Sequence, residues 1–443
     1  MFNLGVNEPL TPELLKKMIG YFNLNVKPNI EHYKNYYDGK HAILKKRYND
    51  ATKPCNKTVI NYCKNITDSY TGYLAAAGCV SYSSEEDIEE IMNVLRYNDF
   101  QTEDSMFLKH ALIHGVAHEL MYIDKDGKTR FKLINPAQSF GIFDDSLTND
   151  LLYFVRYYEA NNWDDSNKYY VDVYSSVSRV RYSMTGINGD LSFVEEEPHY
   201  FGQCPANVFY MPEEKSIFDC VLTEQDSFNE LISANIDDYN SFVDAFLGLE
   251  GMDADKEDIV TMKEERVLLL PEGSKAYWIT KNANDSQVQN ILKTLQESIY
   301  RTSQTPDFSS DSFLGGVSSG KAILYRLTGM ETRAATIASL MEMALRRRIE
   351  LICGIASLKL GEEIYRDIKI SFKRNITTDY TETIQLVNAL KGTVSDATLL
   401  SRLDFIDDVN AELERIKKEK AANMALYNFG GNDDEDNEEE GTE

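Results

Sequence analysis

The feature that most limits the fold of this chain is a long stretch without a helix breaker. Residues 217–249 contain no proline, and their only glycine is Gly248. Apolar residues recur in this stretch at the spacing of one helix face, namely Val221, Phe228, Leu231, Ile232, Tyr239, Phe242, Val243 and Phe246. At 1.5 Å per residue the helix would be about 50 Å long, too long for a typical globular helix. We therefore predict one amphipathic helix that acts as a strut.

A second amphipathic helix is predicted to follow at a short distance. It begins after Asp285, which can act as its N-cap, and its apolar stripe comprises Val288, Ile291, Leu292, Leu295 and Ile299. We expect the two helices to pair antiparallel, through a contact that includes Phe228, Ile232, Phe242, Leu292 and Leu295. Residues 252–284, between the helices, hold two strand-like runs, ERVLLLP and KAYWITK. They predict a small α/β excursion at the far end of the pair.

The rest of the sequence predicts an α+β protein. Up to about residue 215, helical stretches precede short alternating runs, and Asp126-Gly127 separates two of these runs as in a tight hairpin. Residues 305–320 are rich in Ser, Asp and Gly and predict a flexible loop before a third long helix, about 319–355. Residues 431–443 hold eight acidic residues and no apolar one, so a disordered, solvated tail is expected.

Composition excludes several classes of protein. No apolar run is long enough to span a bilayer, and the N-terminal residues lack the apolar core of a signal peptide, so a soluble cytoplasmic product is expected. The six cysteines form no CxxC pair, which favours buried free thiols over disulfides or zinc. The net charge of −26 argues against tight phosphate binding, although an acidic or neutral channel would let a duplex slide past.

Two ligand-binding patterns are incomplete. GGVSSGKA, residues 315–322, fits a phosphate-binding loop, but Ala322 replaces the Ser or Thr that binds magnesium, and no buried strand precedes it. Residues 253–264 resemble a calcium loop, yet Asp258 stands where the sharp turn needs glycine. No catalytic triad or carboxylate pair can be singled out either. We predict no enzyme activity, no cofactor and no metal.

Two clusters of basic or ionisable residues have a modest interpretation. His110, His114 and His118 are four residues apart on a predicted helix, but their order is not HExxH, so a buried or surface row is favoured over a metal site. Residues 346–348 are three successive arginines, which point in different directions around a helix. Salt bridges are the first interpretation, with a DNA-facing role for part of the cluster as the alternative.

Several motifs, in the same order, resemble the portal family of Bacillus-type siphophages. YYDGKHAILKKR is similar to that family's early YY-x-G-x-H motif, and KTVINYCKNITDSYTGYLAAAG to its Asn-rich helix. LISANIDDYNSFVDAFLGLEG resembles the first stem helix, and SIYRTSQTPDFSSDSFLGGVSSGKAILYRLTGMETRA the second stem helix, channel loop and tunnel helix. KGTVSDATLLSRLDFIDDVNAELERIKKE resembles the crown. The resemblance extends from about Tyr33 to Glu419.

The resemblance implies a portal fold with a mixed α/β wing, a long-helix stem, a small α/β clip, a tunnel helix and a helical crown. The boundaries we assign are wing 1–216, first stem helix 217–251, clip 252–284, second stem helix 285–304, channel loop 305–320, tunnel helix with return to the wing 321–380, crown 381–430 and acidic tail 431–443. It also implies a closed homo-oligomeric ring of about twelve copies, built by heterologous interfaces.

The partners implied are double-stranded DNA in the lumen, the terminase motor, the head-tail adaptor, and the major capsid and scaffolding proteins, with no membrane. The protein would be assembled in the host cytoplasm and located at the portal vertex of the virion. In the clip, Tyr277 and Trp278 are candidate contacts, or alternatively part of a small core. In the loop, the candidate DNA contacts are Ser309, Ser310, Ser312, Gly315, Gly316, Ser318, Ser319 and Gly320.

Some alternatives stay open. The loop could instead be buried between subunits, which Phe308, Phe313 and Leu314 would favour. A packaging ATPase or a nuclease is disfavoured, because the phosphate loop is defective and no metal-binding carboxylate cluster is recognisable. A minor head or adaptor protein is the remaining alternative, and oligomeric state distinguishes it from a portal.

Overall fold

The computed structural model divides the chain into two compact units, one of residues 1–315 and 325–375 and the other of residues 316–324 and 376–443. The structure describes residues 2–5, 8–47, 54–160, 167–187, 189–242, 246–251, 260, 273–279, 285–308, 320–355, 364–375, 380–401, 403, 406 and 409–429. Both helices and sheets are present, which confirms the predicted α+β class.

The first unit begins with a short strand and a series of helices, the first of which pack on a six-stranded sheet. The helices are α1 (Pro12–Tyr21), a π-helical turn (Phe22–Val26), α2 (Lys27–Tyr37), α3 (Tyr62–Ala75), α4 (Glu89–Tyr97) and α5 (Phe100–His114). The sheet has the order β1-β5-β6-β7-β8-β9, formed by β1 (Phe2–Leu4), β5 (Ser139–Asp144), β6 (Leu151–Glu159), β7 (Lys168–Tyr174), β8 (Ser178–Thr185) and β9 (Ser192–Pro198). Only the β1–β5 pair in this sheet is parallel.

The core of this unit follows from the alternation of side chains along the strands. Val155 and Tyr157 of β6 face α1 and pack with Leu15, Ile19 and Phe22, all of which are buried. On the opposite face, Phe154 packs with residues of a three-stranded sheet of order β10-β3-β4. Its strands are β3 (Val116–Ile123), β4 (Thr129–Ile134) and β10 (Ala206–Tyr210).

The hairpin predicted at Asp126-Gly127 is confirmed. β3 and β4 pair antiparallel, and the turn that joins them includes Gly127 with a φ of 74°. Asp124 stabilises the turn, because its carboxylate accepts hydrogen bonds from the backbone amides of Asp126 and Lys128. Left-handed backbone of this kind is easiest for glycine, so the local sequence specifies the turn.

The predicted helix pair is confirmed, with a correction to the first helix. α6 (Leu222–Phe242) and α7 (Asp285–Ser303) pack on each other. However, the first helix does not extend over 217–249, because Phe246–Glu250 forms strand β11. Phe246 is therefore not part of the apolar helix face that was predicted.

The strand arises from a partner that periodicity alone does not identify. β11 pairs antiparallel with β12 (Lys275–Ile279), so that Gly248 lies opposite Tyr277. Glycine is a poor helix former, and strand pairing satisfies the backbone groups that the helix would have used. The KAYWITK run is thus a strand as predicted, whereas ERVLLLP lies outside the described residues.

The third long helix is also confirmed. α8 runs from Gly320 to Cys353, close to the predicted 319–355. After α9 (Ile364–Asp367), β13 (Lys369–Phe372) pairs antiparallel with β2 (Val80–Ser83). The chain after α8 therefore pairs with a strand from the N-terminal part of the first unit.

The second unit is helical where it is described. Its helices are α10 (Tyr380–Leu390), α11 (Asp396–Leu400) and α12 (Val409–Phe429). Ser395 caps α11, since its hydroxyl accepts from the amide of Thr398 at 3.4 Å. The predicted acidic tail, 431–443, lies outside the described residues. Among the helices that the structure describes, none is long and apolar enough to cross a membrane.

Candidate functional site

Tyr62 of α3 contacts both α6 and α7. Phe228 of α6 is buried, and its ring meets that of Tyr62 edge to face at 5.3 Å. Tyr300 of α7 meets the same ring at 5.6 Å, and its neighbour Ile299 is fully buried. The base of the helix pair is thus anchored on α3.

The outer stem residues are less enclosed within one chain. Ile232, Leu292 and Leu295 are half-buried, and Ile291 is 43% exposed. Phe242 is the last residue of α6, and its side chain is outside the described part. A single chain therefore leaves much of the apolar stripe of α7 in contact with solvent.

The structure describes the clip and loop candidates only in part. Tyr277 and Trp278 lie in β12, opposite Gly248 and Leu247, and the environment of their side chains is not described. Gly320 is the first residue of α8. The remaining loop candidates, Ser309, Ser310, Ser312, Gly315, Gly316, Ser318 and Ser319, lie outside the described residues.

The approach to the loop is held in place. Gln296 of α7 donates a hydrogen bond to Asp307 at 3.3 Å, and Ser303 binds the buried Thr305 hydroxyl at 3.1 Å. Phe308, the last residue of this loop that is described before Gly320, is 49% exposed. The loop therefore starts from a fixed point at the end of α7.

Arg333 of α8 links α6 and α7 at one end of the pair. Its guanidinium donates to the carbonyl oxygen of Ser303, at the end of α7, at 2.9 Å. It also donates to the carbonyl oxygen of Ile217, just before α6, at 2.6 Å. Tyr70 of α3 donates to the Ser303 and Gln304 carbonyls at 3.1 and 3.2 Å. α8 thus holds α6 and α7 together at one end of the pair.

α6 also carries a buried polar stripe that the apolar pattern did not reveal. Gln225, Asn229, Ser233 and Asp237 are four residues apart and buried. Their side-chain oxygens accept hydrogen bonds from every second backbone amide of an extended segment, 56–62. The pairs are Gln225 with Tyr62 at 2.9 Å, Asn229 with Ile60 at 3.0 Å, Ser233 with Thr58 at 3.0 Å and Asp237 with Asn56 at 2.6 Å.

The polar side chains of α6 match the backbone amides of segment 56–62 because the two sets have nearly equal spacing. Four helical residues advance about 6 Å, and two extended residues advance about 6.6 Å. Asn229 has a second role, since its amide nitrogen lies 2.8 Å from Nδ1 of His41, which is 1% exposed. The stripe therefore fixes both segment 56–62 and the loop that contains His41.

The DNA-facing alternative is wrong for Arg348, which is buried, whereas Arg346 and Arg347 form ion pairs within the protein and stay partly exposed. Arg346 donates to Glu342 and to three backbone carbonyls, and Arg347 binds Gln203 and Glu350. Arg348 is fully buried. The salt-bridge interpretation is confirmed.

Arg348 lies in a buried ionic cluster that joins four elements. It binds Glu119 of β3 with two bonds of 2.8 Å and also binds Asp104 of α5. Tyr82 of β2 donates to Asp104 at 2.9 Å. Burial raises the pKa of Glu119, and Arg348 only partly offsets that effect. Burial alone would lower the pKa of Arg348, but the two carboxylates hold it well above its usual value.

The histidine row is buried rather than arranged as metal ligands. The rings of His110 and His114 are 5.4 Å apart, while His118 lies on β3 with Nδ1 2.8 Å from the Ser139 hydroxyl. Burial lowers the pKa of His114 to about 4 and that of His118 to about 3, with neighbouring histidines adding to the effect. Among the described residues, no group of three His, Cys, Asp or Glu side chains could hold a metal ion.

These shifts predict that acid destabilises the protein. The pKa of each histidine is lower in the folded chain than the unfolded value of about 6.5. In the pH range between the two values, the unfolded chain therefore binds more protons than the folded chain. The stability that these two histidines contribute is therefore fully present above pH of about 6.5. It is lost as the pH falls toward about 4 for His114 and about 3 for His118, by at most about 1.4 kcal/mol per pH unit for each histidine. Urea unfolding at two pH values in this window measures the slope. His114→Phe should reduce the slope, whereas exposed His32→Gln should not. Equal slopes in all three proteins would contradict the assignment.

Comparison with known proteins agrees with the order of these elements. A family model described as "Phage portal protein, SPP1 Gp6-like" matches residues 21–425. The portal protein of Bacillus phage SPP1 is 23% identical over 447 residues, and the alignment covers 90% of this chain and 86% of that protein. The match thus includes the helix pair, the loop, α8 and most of α12.

Proposed function

Because the chain belongs to the SPP1 Gp6-like family of phage portal proteins, we propose that it forms the ring through which double-stranded DNA enters and leaves the capsid. The family is structural and implies a ring assembly associated with the phage capsid. The match over residues 21–425 carries the proposal, since it spans both units and the segment that joins the stem to α8. The ring would contain about twelve copies and be assembled in the host cytoplasm.

The proposed regions keep the boundaries given by the resemblance. The stem would contain α6 and α7, the loop 305–320 would line the channel, and α8 would be the tunnel helix. Arg333 supports this assignment, because it connects α8 to the base of both stem helices. A displacement of the loop could therefore be transmitted directly to the stem.

The clip, 252–284, would bind the terminase motor during filling and the head-tail adaptor afterwards. Tyr277 and Trp278 are proposed contacts because they lie on the β11–β12 ribbon beyond the ends of the stem helices. The wing and crown would contact the major capsid and scaffolding proteins. A clip deletion that still bound terminase and adaptor normally would exclude this role.

Electron microscopy of the purified protein tests the main proposal. We expect closed rings in negative stain, with a mass of about twelve protomers. A monomer that hydrolyses ATP would overturn the proposal. A small complex that binds only to completed heads would favour the alternative, a minor head or adaptor protein.

The partly exposed stripe of α7 predicts that stem residues matter more for the ring than for the protomer. Leu295→Asp or Phe242→Asp would place an unpaired charge in the contact that a neighbouring copy completes, at a cost of about 2 kcal/mol per contact. We expect folded protomers that fail to form rings, measured by size-exclusion chromatography with light scattering. Lys293→Asp, on the exposed side of α7, is the matched control. Normal rings from both stem variants would show that the stem is misplaced.

The loop assignment can be tested separately from ring formation. Gly315→Val combined with Gly316→Val should stiffen a loop that lines the channel, because valine has few backbone conformations available. We expect intact rings that package DNA slowly in a reconstituted motor assay. Loss of the ring would instead indicate a loop buried between subunits. Intact rings that package at normal speed would contradict both interpretations.

A further inference from the structure

Positive charge is concentrated in two neighbouring segments of this strongly acidic chain. Residues 39–47 and 54–57 contain five Lys or Arg residues and no Asp or Glu, whereas the whole chain has a net charge of −26. Lys46 pairs with Asp237 at 3.7 Å. Lys40, Lys45, Arg47 and Lys57 are exposed and form no ion pair with a carboxylate that the structure describes. We name these four residues the basic patch.

The backbone of the two segments that carry the basic patch is held by hydrogen bonds and by a ring contact. Lys57 donates to the carbonyl oxygen of Leu44 at 3.1 Å, which brings the two segments together. Between Lys40 and Lys45, the ring of His41 stacks on Tyr36 at 4.7 Å and is bound by Asn229. The polar stripe of α6 holds the second segment by its backbone amides. The buried polar groups thus fix the backbone and leave the cations at the surface.

The composition of the basic patch favours a polyanion over a protein partner. Leu44, 42% exposed, is the one large apolar side chain that the described structure exposes between residues 39 and 57. Protein interfaces usually need a buried aromatic or aliphatic anchor, which such a surface does not provide. Separated, exposed cations instead suit the phosphates of a nucleic acid backbone, which are contacted without regard to sequence.

We propose that Lys40, Lys45, Arg47 and Lys57 bind the phosphates of double-stranded DNA and form a second contact, distinct from the loop 305–320. The choice of DNA as ligand rests on the proposed portal function. Repulsion by the acidic remainder of the protein limits binding to this patch and keeps it weak at physiological salt. The contact is therefore reversible, as passage of DNA requires.

Fluorescence anisotropy with a labelled duplex of about 30 base pairs tests the proposal, at salt concentrations from about 50 to about 200 mM. We expect Lys45→Glu combined with Arg47→Glu to weaken binding at least about tenfold at low salt. The slope of log affinity against log salt should fall by about 2, because two phosphate contacts are lost. The control, Lys17→Glu combined with Lys125→Glu, changes the net charge equally at exposed sites elsewhere and should change affinity less than about twofold.

The possible outcomes distinguish DNA binding at the basic patch from a general effect of net charge and from an acidic protein partner. If both double variants weakened DNA binding equally, the change in net charge alone would explain the loss, and the proposal would be overturned. A patch variant that kept DNA affinity but lost binding to polyglutamate would overturn it in favour of an acidic protein partner. Rings seen by electron microscopy without patch-dependent DNA binding would refute the patch alone. Patch-dependent binding by a protein that forms no ring would refute the portal role and support the patch.

Discussion

We expect Arg348→Met to lower the free energy of unfolding by about 3–5 kcal/mol, because breaking a buried ion pair leaves uncompensated charge. The guanidinium is fully buried, and its loss leaves Asp104 and Glu119 without a counter-ion in a region that excludes water. Methionine preserves most of the side-chain volume, so the lost stability would reflect charge rather than a cavity. Chemical denaturation followed by circular dichroism measures the change.

Two further variants identify the cause. Arg347→Met removes a neighbouring arginine whose partners, Gln203 and Glu350, are partly exposed, so it should cost only about 1 kcal/mol. Replacing all three charges, with Arg348→Met, Asp104→Leu and Glu119→Met together, should restore much of the stability, because apolar packing can replace a buried ion pair. A triple variant less stable than Arg348→Met alone would show that packing, not unpaired charge, governs this region.

The second large effect is expected at Asn229, at the centre of the polar stripe on α6. Asn229→Leu leaves the half-buried Ile60 amide without its acceptor and Nδ1 of the buried His41 without its partner. Each unsatisfied group costs about 1–3 kcal/mol, so a total loss of about 2–6 kcal/mol is expected. Thermal and urea unfolding would measure it.

Hydrogen exchange adds a local readout for the same variant. Segment 56–62 is held by the polar stripe, so Asn229→Leu should increase amide exchange there and in the loop around His41. Asn240→Leu, an exposed position on the same helix, should change stability by less than about 0.5 kcal/mol. If Asn229→Leu left exchange in segment 56–62 unchanged, the stripe would not be what holds that segment.

The local sequence was sufficient for the elements that depend on neighbouring residues. Apolar spacing identified α6 and α7, because helix amphipathicity repeats within a few residues. Asp126-Gly127 identified the hairpin, because a tight turn depends mainly on its own residues. The order of several motifs, each weak alone, identified the family that the match over residues 21–425 then confirmed.

Tertiary structure decided the features whose partners are distant in sequence. Phe246–Glu250 is a strand because Lys275–Ile279 pairs with it, which helical periodicity cannot show. The polar stripe was hidden among apolar positions, since its acceptors match backbone amides more than 160 residues away. A charge count over residues 39–57 would have revealed the cations, but not which of them lack a carboxylate partner.

The three arginines at 346–348 differ in their surroundings because their partners are distant in sequence. They are identical in the sequence, yet one binds backbone carbonyls, one is partly exposed and one is fully buried with two carboxylates. Successive helical residues point about 100° apart, so each meets a different part of the fold. Sequence determined that positive charge occurs here, and only long-range packing decided what each charge does.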